Sequence, residues 1–154
     1  VGSAMIVFLL PEIISIFPAA KIINLSRNGP SVVESFHKKE WHKYMKMVPD
    51  ENQFRKKIAE YWNNNILFME AFKNHLSKYP KAKLLDISYE NLCDQPNTIL
   101  TTIGDFLQID PDDIDFDLKQ IKNMNYKVGN YKSDKNWAPI LDIMKNGMNI
   151  KGYL

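Results

Sequence analysis

The amino-acid sequence predicts an α/β fold that contains part of a parallel sheet. Two short apolar segments, Lys21 to Leu25 and Lys83 to Ile87, are typical of strands buried in such a sheet. An amphipathic segment separates them, and further helical segments follow the second strand. The order strand, helix, long helix, strand and several helices fits half of a parallel sheet and not a complete one, with a helix-rich C-terminal half.

The first strand is flanked by helices. Glu12 to Phe17 predicts a short helix that leads into the strand. Asn28-Gly29-Pro30 forms a turn after it, in which Pro30 suits the first helical position and Asn28 or Gly29 suits the cap. The next helix therefore begins at Pro30 and runs toward Lys39, while residues 41–47 fit a helix or a loop.

The longest helix is predicted over Asp50 to Lys78. Asp50 and Gln53 resemble a capping box at its start, and Tyr79-Pro80 ends it. Apolar residues recur near the helical period, which indicates a buried face. These residues are Phe54, Ile58, Trp62, Met69, Phe72 and Leu76.

Several helices are predicted after the second strand. Pro96 to Leu107 is amphipathic, and Asp112 to Asn123 carries acidic residues in its N-terminal half, as the helix dipole favours. Asn125 to Trp137 is polar and predicts a loop. Ala138 to Asn146 predicts a short helix that Gly147 stops.

Composition limits the class of protein. We expect the 154 residues to form a single, incomplete domain, in which residues 1–4 are a cloning remnant or a broken end. A net charge of +2 argues against broad nucleic-acid binding.

Met5 to Leu10 is too short to span a membrane, so we expect no membrane partner. The three histidines lack metal-ligand spacing, and no metal is expected.

The single cysteine, Cys93, permits no internal disulfide. A reducing compartment fits, and the expected location is cytoplasmic. No nucleophile motif surrounds Cys93, so a small packing residue is favoured over a catalytic thiol.

Arg27 and Ser35 form the first candidate site. Arg27 lies at the carboxyl end of the predicted strand, where α/β sheets bind ligands, and Ser35 lies on the second turn of the next helix. A guanidinium and a hydroxyl beside a helix N-terminus suit a phosphate. The alternative is an arginine paired with a carboxylate and a serine facing solvent.

The stretch from Phe17 to Ser35 resembles the 3′-phosphate-binding segment of sulfotransferases that use 3′-phosphoadenosine 5′-phosphosulfate (PAPS). In that family an arginine after the strand is followed eight residues later by a serine, and both hold the 3′-phosphate. Arg27 and Ser35 have this spacing, but the usual R-(D/N)-P becomes Arg27-Asn28-Gly29-Pro30. The other matching positions are Phe17, Pro18, Ala20, Lys21 and Val32.

Two later segments resemble the same family. In this family a Y-E-D-L segment and a proline follow a strand, and Tyr89, Glu90, Leu92 and Pro96 match those positions. The resemblance implies that Tyr89 lies by the adenine. The residues from Val128 to Lys132 are similar to a V-G-(D/N)-W-K loop that folds over the nucleotide. The resemblance makes Gly129 a cofactor-binding candidate. Lys127 could add charge to a phosphate, although a solvated loop lysine is the favoured alternative.

The resemblance implies a P-loop-like three-layer α/β/α fold and sulfuryl transfer from PAPS to a hydroxyl or amine, with PAP (3′-phosphoadenosine 5′-phosphate) as product. The sequence does not identify the acceptor, which is expected to be a small molecule or a glycan. Self-association through an exposed sheet edge is a second expectation. The family's P-K-x-G-(S/T)-T loop for the 5′-phosphosulfate has no counterpart here, and Gly2 to Ala4 stand where a catalytic lysine or histidine is expected.

The chain is therefore expected to carry the 3′-phosphate and adenine half of the cofactor site and to be inactive alone. Its catalytic residues stay unknown. The alternatives are a catalytically inactive nucleotide-binding or interaction module, and a kinase-like relative that no Walker-type motif supports.

Overall fold

The computed structural model describes residues 4–38, 50–109, 131 and 135–153. A 3₁₀ helix at Ala4–Leu9 is followed by α1 (Leu10–Ile16), β1 (Lys21–Ser26), α2 (Gly29–Lys38) and α3 (Glu51–Leu76). Then come β2 (Lys83–Ser88), α4 (Tyr89–Asp94), α5 (Pro96–Leu107), a 3₁₀ turn at Lys135–Trp137, and α6 (Ala138–Lys151). The model is mostly helical with one small parallel sheet, which confirms the predicted partial α/β fold.

The chain divides into two compact units. The helical unit contains the described residues within 1–8, 28–71 and 127–154, and the sheet unit contains those within 9–27 and 72–126. The prediction of a single incomplete domain stays a prediction. The predicted helix at 112–123 and the ambiguous segment at 41–47 lie outside the described residues.

The sheet unit contains a two-stranded parallel sheet in which Lys21 pairs with Lys83 and Ser26 pairs with Ser88. Asn24 Nδ2 donates to Asp86 Oδ1 across the strands at 2.9 Å, and Asp86 Oδ2 accepts from Lys73 Nζ at 2.9 Å. At the amino end, Lys21 Nζ donates to the Leu107 carbonyl at 3.0 Å. This contact places a cation at the negative end of the α5 dipole.

The prediction that β1 is a buried strand was wrong for one of its faces. Ile23 is 38% exposed and Leu25 is 53% exposed, whereas Ile87, the register partner of Leu25, is buried. β2 is the single strand that pairs with β1 among the described residues. A run of apolar residues thus predicted the strand, but its burial depends on neighbouring elements.

The core of the helical unit surrounds Trp62 of α3, which is buried. A β-carbon on Gly147 would lie 2.7 Å from Trp62 Cζ3, and one on Gly29 would lie 3.0 Å from Trp62 Cδ2 and overlap Met144 Cε. Both glycines therefore let backbone approach the indole closely. The buried residues of this core are Val33, Phe54, Ile58, Ala59, Trp62, Ile66, Tyr131, Trp137, Ile140, Met144 and Met148.

Gly147 does not stop its helix, so that prediction was wrong. α6 continues to Lys151 and ends at Gly152, whose φ of 69° is the left-handed conformation typical of helix ends. The backbone N–H of Gly147 donates to Asn63 Oδ1 at 2.8 Å. Gly147 is required for contact with α3 and not for termination.

Among the described residues, the apolar runs within helices fall short of what crossing a membrane requires.

We expect Gly147→Ala to destabilise the protein by roughly 1–3 kcal/mol, because the added methyl group meets Trp62 and Asn63. Gly104→Ala in α5 is the matched control, since its β-carbon would meet nothing closer than the Ile109 carbonyl at 3.7 Å. The control should be neutral or slightly stabilising, as alanine is favoured over glycine within helices. Urea unfolding measures both variants, and equal effects would contradict the close packing.

Candidate phosphate site at the strand ends

Arg27 and Tyr89 lie side by side at the carboxyl end of the sheet. Each is the first residue after its strand, and the register pairs the preceding residues, Ser26 and Ser88. Parallel pairing brings the carboxyl ends of neighbouring strands to the same edge. Two positions that are 62 residues apart in the sequence are therefore brought together by the β1–β2 register.

The guanidinium of Arg27 lies over the ring of Tyr89, with Arg27 Cζ 4.6 Å from the ring centroid. This distance is within the range of a cation–π contact. In such a contact the electron-rich face of the ring attracts the positive charge of the guanidinium. Tyr89 is thus one of the side chains that contact the Arg27 cation.

The N-cap of α4 fixes the position of Tyr89. Ser88 is the N-cap of α4, and its Oγ accepts from the Asn91 N–H at 3.0 Å. Tyr89 is therefore the first residue of α4, with its backbone fixed by β2 on one side and by the cap on the other. One turn later, Cys93 lies near enough to Tyr89 for each side chain to influence the pKa of the other.

Burial raises the pKa of Tyr89 above its ordinary value of 10.0 and that of Cys93 above 9.0. The cation of Arg27 lowers the pKa of both groups but does not outweigh burial, while Glu90 raises both. Both groups are neutral near pH 7 as a result. A protonated Cys93 is a poor nucleophile, which agrees with its interpretation as a packing residue.

The start of α2 is capped from within the chain. Asn28 is buried, and its Oδ1 accepts from the Ser31 N–H at 3.3 Å and from Ser31 Oγ at 3.2 Å. The Val32 N–H donates to the Asn28 carbonyl, and Pro30 has no N–H. At this helix start the Ser31 amide is thus engaged and Pro30 offers none, which reduces the backbone donors that an anion could use.

Ser35 lies on the second turn of α2 and is partly exposed. It belongs to the helical unit, whereas Arg27 belongs to the sheet unit. Because the structure describes each residue within its own unit, the binding of one phosphate by both Arg27 and Ser35 stays a prediction.

The late loop is described only at Tyr131, so Lys127 and Gly129 lie outside the described residues. Tyr131 is buried, and its ring lies 5.9 Å from that of Trp137, between centroids. In the part of the chain that the structure describes, no group of three or more His, Cys, Asp or Glu side chains could hold a metal ion.

Two polar contacts of the site were not predicted from the sequence. The first is the contact between Cys93 and Tyr89, whose four-residue spacing on a helix was the available signal. The second is the Asn28–Ser31 pair, for which an Asn-x-x-Ser spacing at a helix start was the signal.

The arrangement defines an α/β protein with a cation and an aromatic ring in contact at the strand ends. A model of the sulfotransferase family matches residues 3–113, a range that includes Arg27, Ser35 and Tyr89. The match covers more than half of the chain, and the chain belongs to the sulfotransferase family. Among curated proteins and solved structures, no significant match was found.

We expect Arg27→Met to raise the pKa of Cys93, because the variant removes the cation that favours the thiolate and keeps an apolar side chain of similar length. Cys93 is the only cysteine, so the pH dependence of the rate of its alkylation by iodoacetamide reports on this thiol alone. Lys83→Met, at the opposite end of the sheet, is the control and should leave this pKa unchanged. A Cys93 pKa that falls or stays constant in Arg27→Met would contradict the described geometry.

Proposed function

We propose that this protein takes part in sulfuryl transfer from PAPS to a hydroxyl or amine acceptor, and that it carries the 3′-phosphate and adenine half of the cofactor site. The guanidinium of Arg27 holds the 3′-phosphate, the hydroxyl of Ser35 adds a hydrogen bond, and Tyr89 lies near the adenine. Lys127 and Gly129 contribute from the late loop. The observation that carries this proposal is the stacking of Arg27 on Tyr89 at the strand ends.

The chemistry of these side chains fits the nucleotide. A phosphate monoester carries nearly two negative charges and accepts charge-assisted hydrogen bonds, which a guanidinium supplies as a fork. An adenine offers a flat π surface, and a neutral tyrosine ring offers the same. The raised pKa of Tyr89 keeps its ring neutral at physiological pH. These properties and the family membership support PAPS as the donor.

The sulfuryl donor supplies an activated SO₃ group on a phosphate leaving group. The residues described above bind and orient the nucleotide at its 3′ end and do not contact the reacting sulfur. Glu90 and Asp94 lie on the same short helix as Tyr89, but we assign neither as a base. The alternative is a catalytically inactive nucleotide-binding module with the same site.

The first test compares PAP with AMP, which lacks the 3′-phosphate, by calorimetric titration. We expect the protein to prefer PAP, and we expect Arg27→Met to weaken PAP binding by roughly 10- to 100-fold, the range for a hydrogen bond to a charged group. AMP binding should change little, because the lost contact is to the 3′-phosphate. Ser35→Ala should show the same pattern with a smaller loss.

Lys56→Met is the matched control, since Lys56 is an exposed lysine on α3 in the helical unit. It should bind PAP as the unmodified protein does. Equal losses for PAP and AMP in Arg27→Met would reject the 3′-phosphate assignment. Tighter binding of ATP than of PAP would favour a kinase-like relative.

We also expect the 154-residue chain to bind PAP without transferring sulfate, because its sequence contains no P-K-x-G-(S/T)-T loop for the 5′-phosphosulfate. Incubation with isotopically labelled PAPS and a panel of phenol, amine and glycan acceptors tests this expectation. Labelled sulfate on any acceptor would contradict it. PAP binding in the same preparation confirms that the cofactor site is folded.

A further inference from the structure

A separate cationic surface lies at the amino end of the sheet. Residues 71–85 contain four lysines, one histidine and no acidic residue. Lys73 pairs with Asp86, but Lys78, Lys81 and Lys83 are exposed and form no ion pair within the described residues. We call these three residues the lysine edge.

The backbone that carries the lysine edge is held in place. The Lys78 N–H donates to the His75 carbonyl at 3.1 Å, and the Ala82 N–H donates to the Tyr79 carbonyl at 2.9 Å. The Lys83 N–H donates to the Ala20 carbonyl at 3.0 Å, which joins the segment to the start of β1. Ala82 is buried between two exposed lysines. Lys78 and Lys81 therefore lie on an ordered turn, and Lys83 is the first residue of β2.

The lysine edge is separate from the phosphate site. Lys83 pairs with Lys21 at the first position of the sheet, and the phosphate site follows the last pair, Ser26 and Ser88. Five residue steps of about 3.3 Å along a strand separate these pairs by roughly 17 Å. A ligand at one end leaves the other end accessible.

We propose that the lysine edge binds a sulfated, polyanionic glycan. Lysine ammonium groups on flexible stems are point charges that suit many distributed anions, whereas a single phosphate is better held by an arginine fork. The choice of a glycan rests on the proposed function, since each sulfuryl transfer to a polymeric acceptor adds a permanent negative charge to it. The same polymer then gains affinity for the lysine edge.

Two other polyanions fit the surface less well. Single-stranded nucleic acid binds through exposed aromatic rings as well as cations, but Tyr79 is partly buried and its ring lies 5.6 Å from that of His75, between centroids. An anionic membrane surface is bound by an amphipathic face. The residues from Ser77 to Lys83 expose lysines and Pro80 but no large apolar side chain. The exposed Ile16 and Phe17 precede β1 at the same end of the sheet, so vesicles and oligo-dT are included in the test.

The test measures binding of a heparin oligosaccharide at low salt to the unmodified protein and to a variant with Lys78→Gln, Lys81→Gln and Lys83→Gln. We expect the variant to bind about tenfold more weakly or worse, and to depend less steeply on salt concentration, because fewer counterions are released. The control carries Lys56→Gln, Lys57→Gln and Lys145→Gln, which remove the same charge from exposed positions of the helical unit. It should bind nearly as the unmodified protein does.

Equal losses in both triple variants, or no heparin binding by the unmodified protein, would overturn the proposal. Tighter binding of oligo-dT or of phosphatidylserine vesicles, with the same dependence on the lysine edge, would overturn the assignment to a glycan. A PAP titration of the same samples separates the two proposals. Heparin binding that requires the lysine edge in a protein without PAP affinity would support the cationic surface and reject the nucleotide site.

Discussion

The in-register parallel pairing of β1 and β2 is the constraint on which the candidate site depends. Six residues pair without a bulge, so the positions that follow Ser26 and Ser88 lie side by side. A slip of one residue would move the side chains of one strand to the opposite face and separate Arg27 from Tyr89. The cross-strand hydrogen bond between Asn24 and Asp86 opposes such a slip, because it requires this register, and the Lys73–Asp86 ion pair holds the Asp86 side chain in place.

Two of the side chains beside Arg27 are uncharged near pH 7. Burial raises the pKa of its neighbours Tyr89 and Cys93, so neither becomes an anion that would compete with a ligand near pH 7. Because both pKa values are raised on folding, the stability they contribute is present below their ordinary values of 9.0 and 10.0. It is lost as the pH rises through their folded-state values. Neither Tyr89 nor Cys93 therefore adds negative charge beside Arg27 at neutral pH.

The sequence predicted the strands, the long helix and the strand-end location of Arg27, because apolar periodicity and turn residues are local signals. It could not predict that Ile23 and Leu25 are exposed, since the burial of a strand face is decided by elements distant in the sequence. Gly147 shows a second limit. A glycine after an apolar run indicates a helix end as readily as a close contact, and only the position of Trp62 distinguishes these roles.

Gly29 gives a physical reason for the departure from the family's R-(D/N)-P pattern. Asn28 caps α2 through Ser31, and Pro30 occupies the second helical position, so the additional residue is the first residue of the helix. A β-carbon there would require Met144 Cε to move and would lie 3.0 Å from Trp62 Cδ2, which favours glycine at this position. The Asn28 cap also engages the Ser31 N–H, and Pro30 has no N–H, so two positions of this helix start offer no free backbone donor. The additional residue therefore satisfies two requirements at once, because glycine fits the packing around Trp62 and leaves Asn28 in place to cap α2.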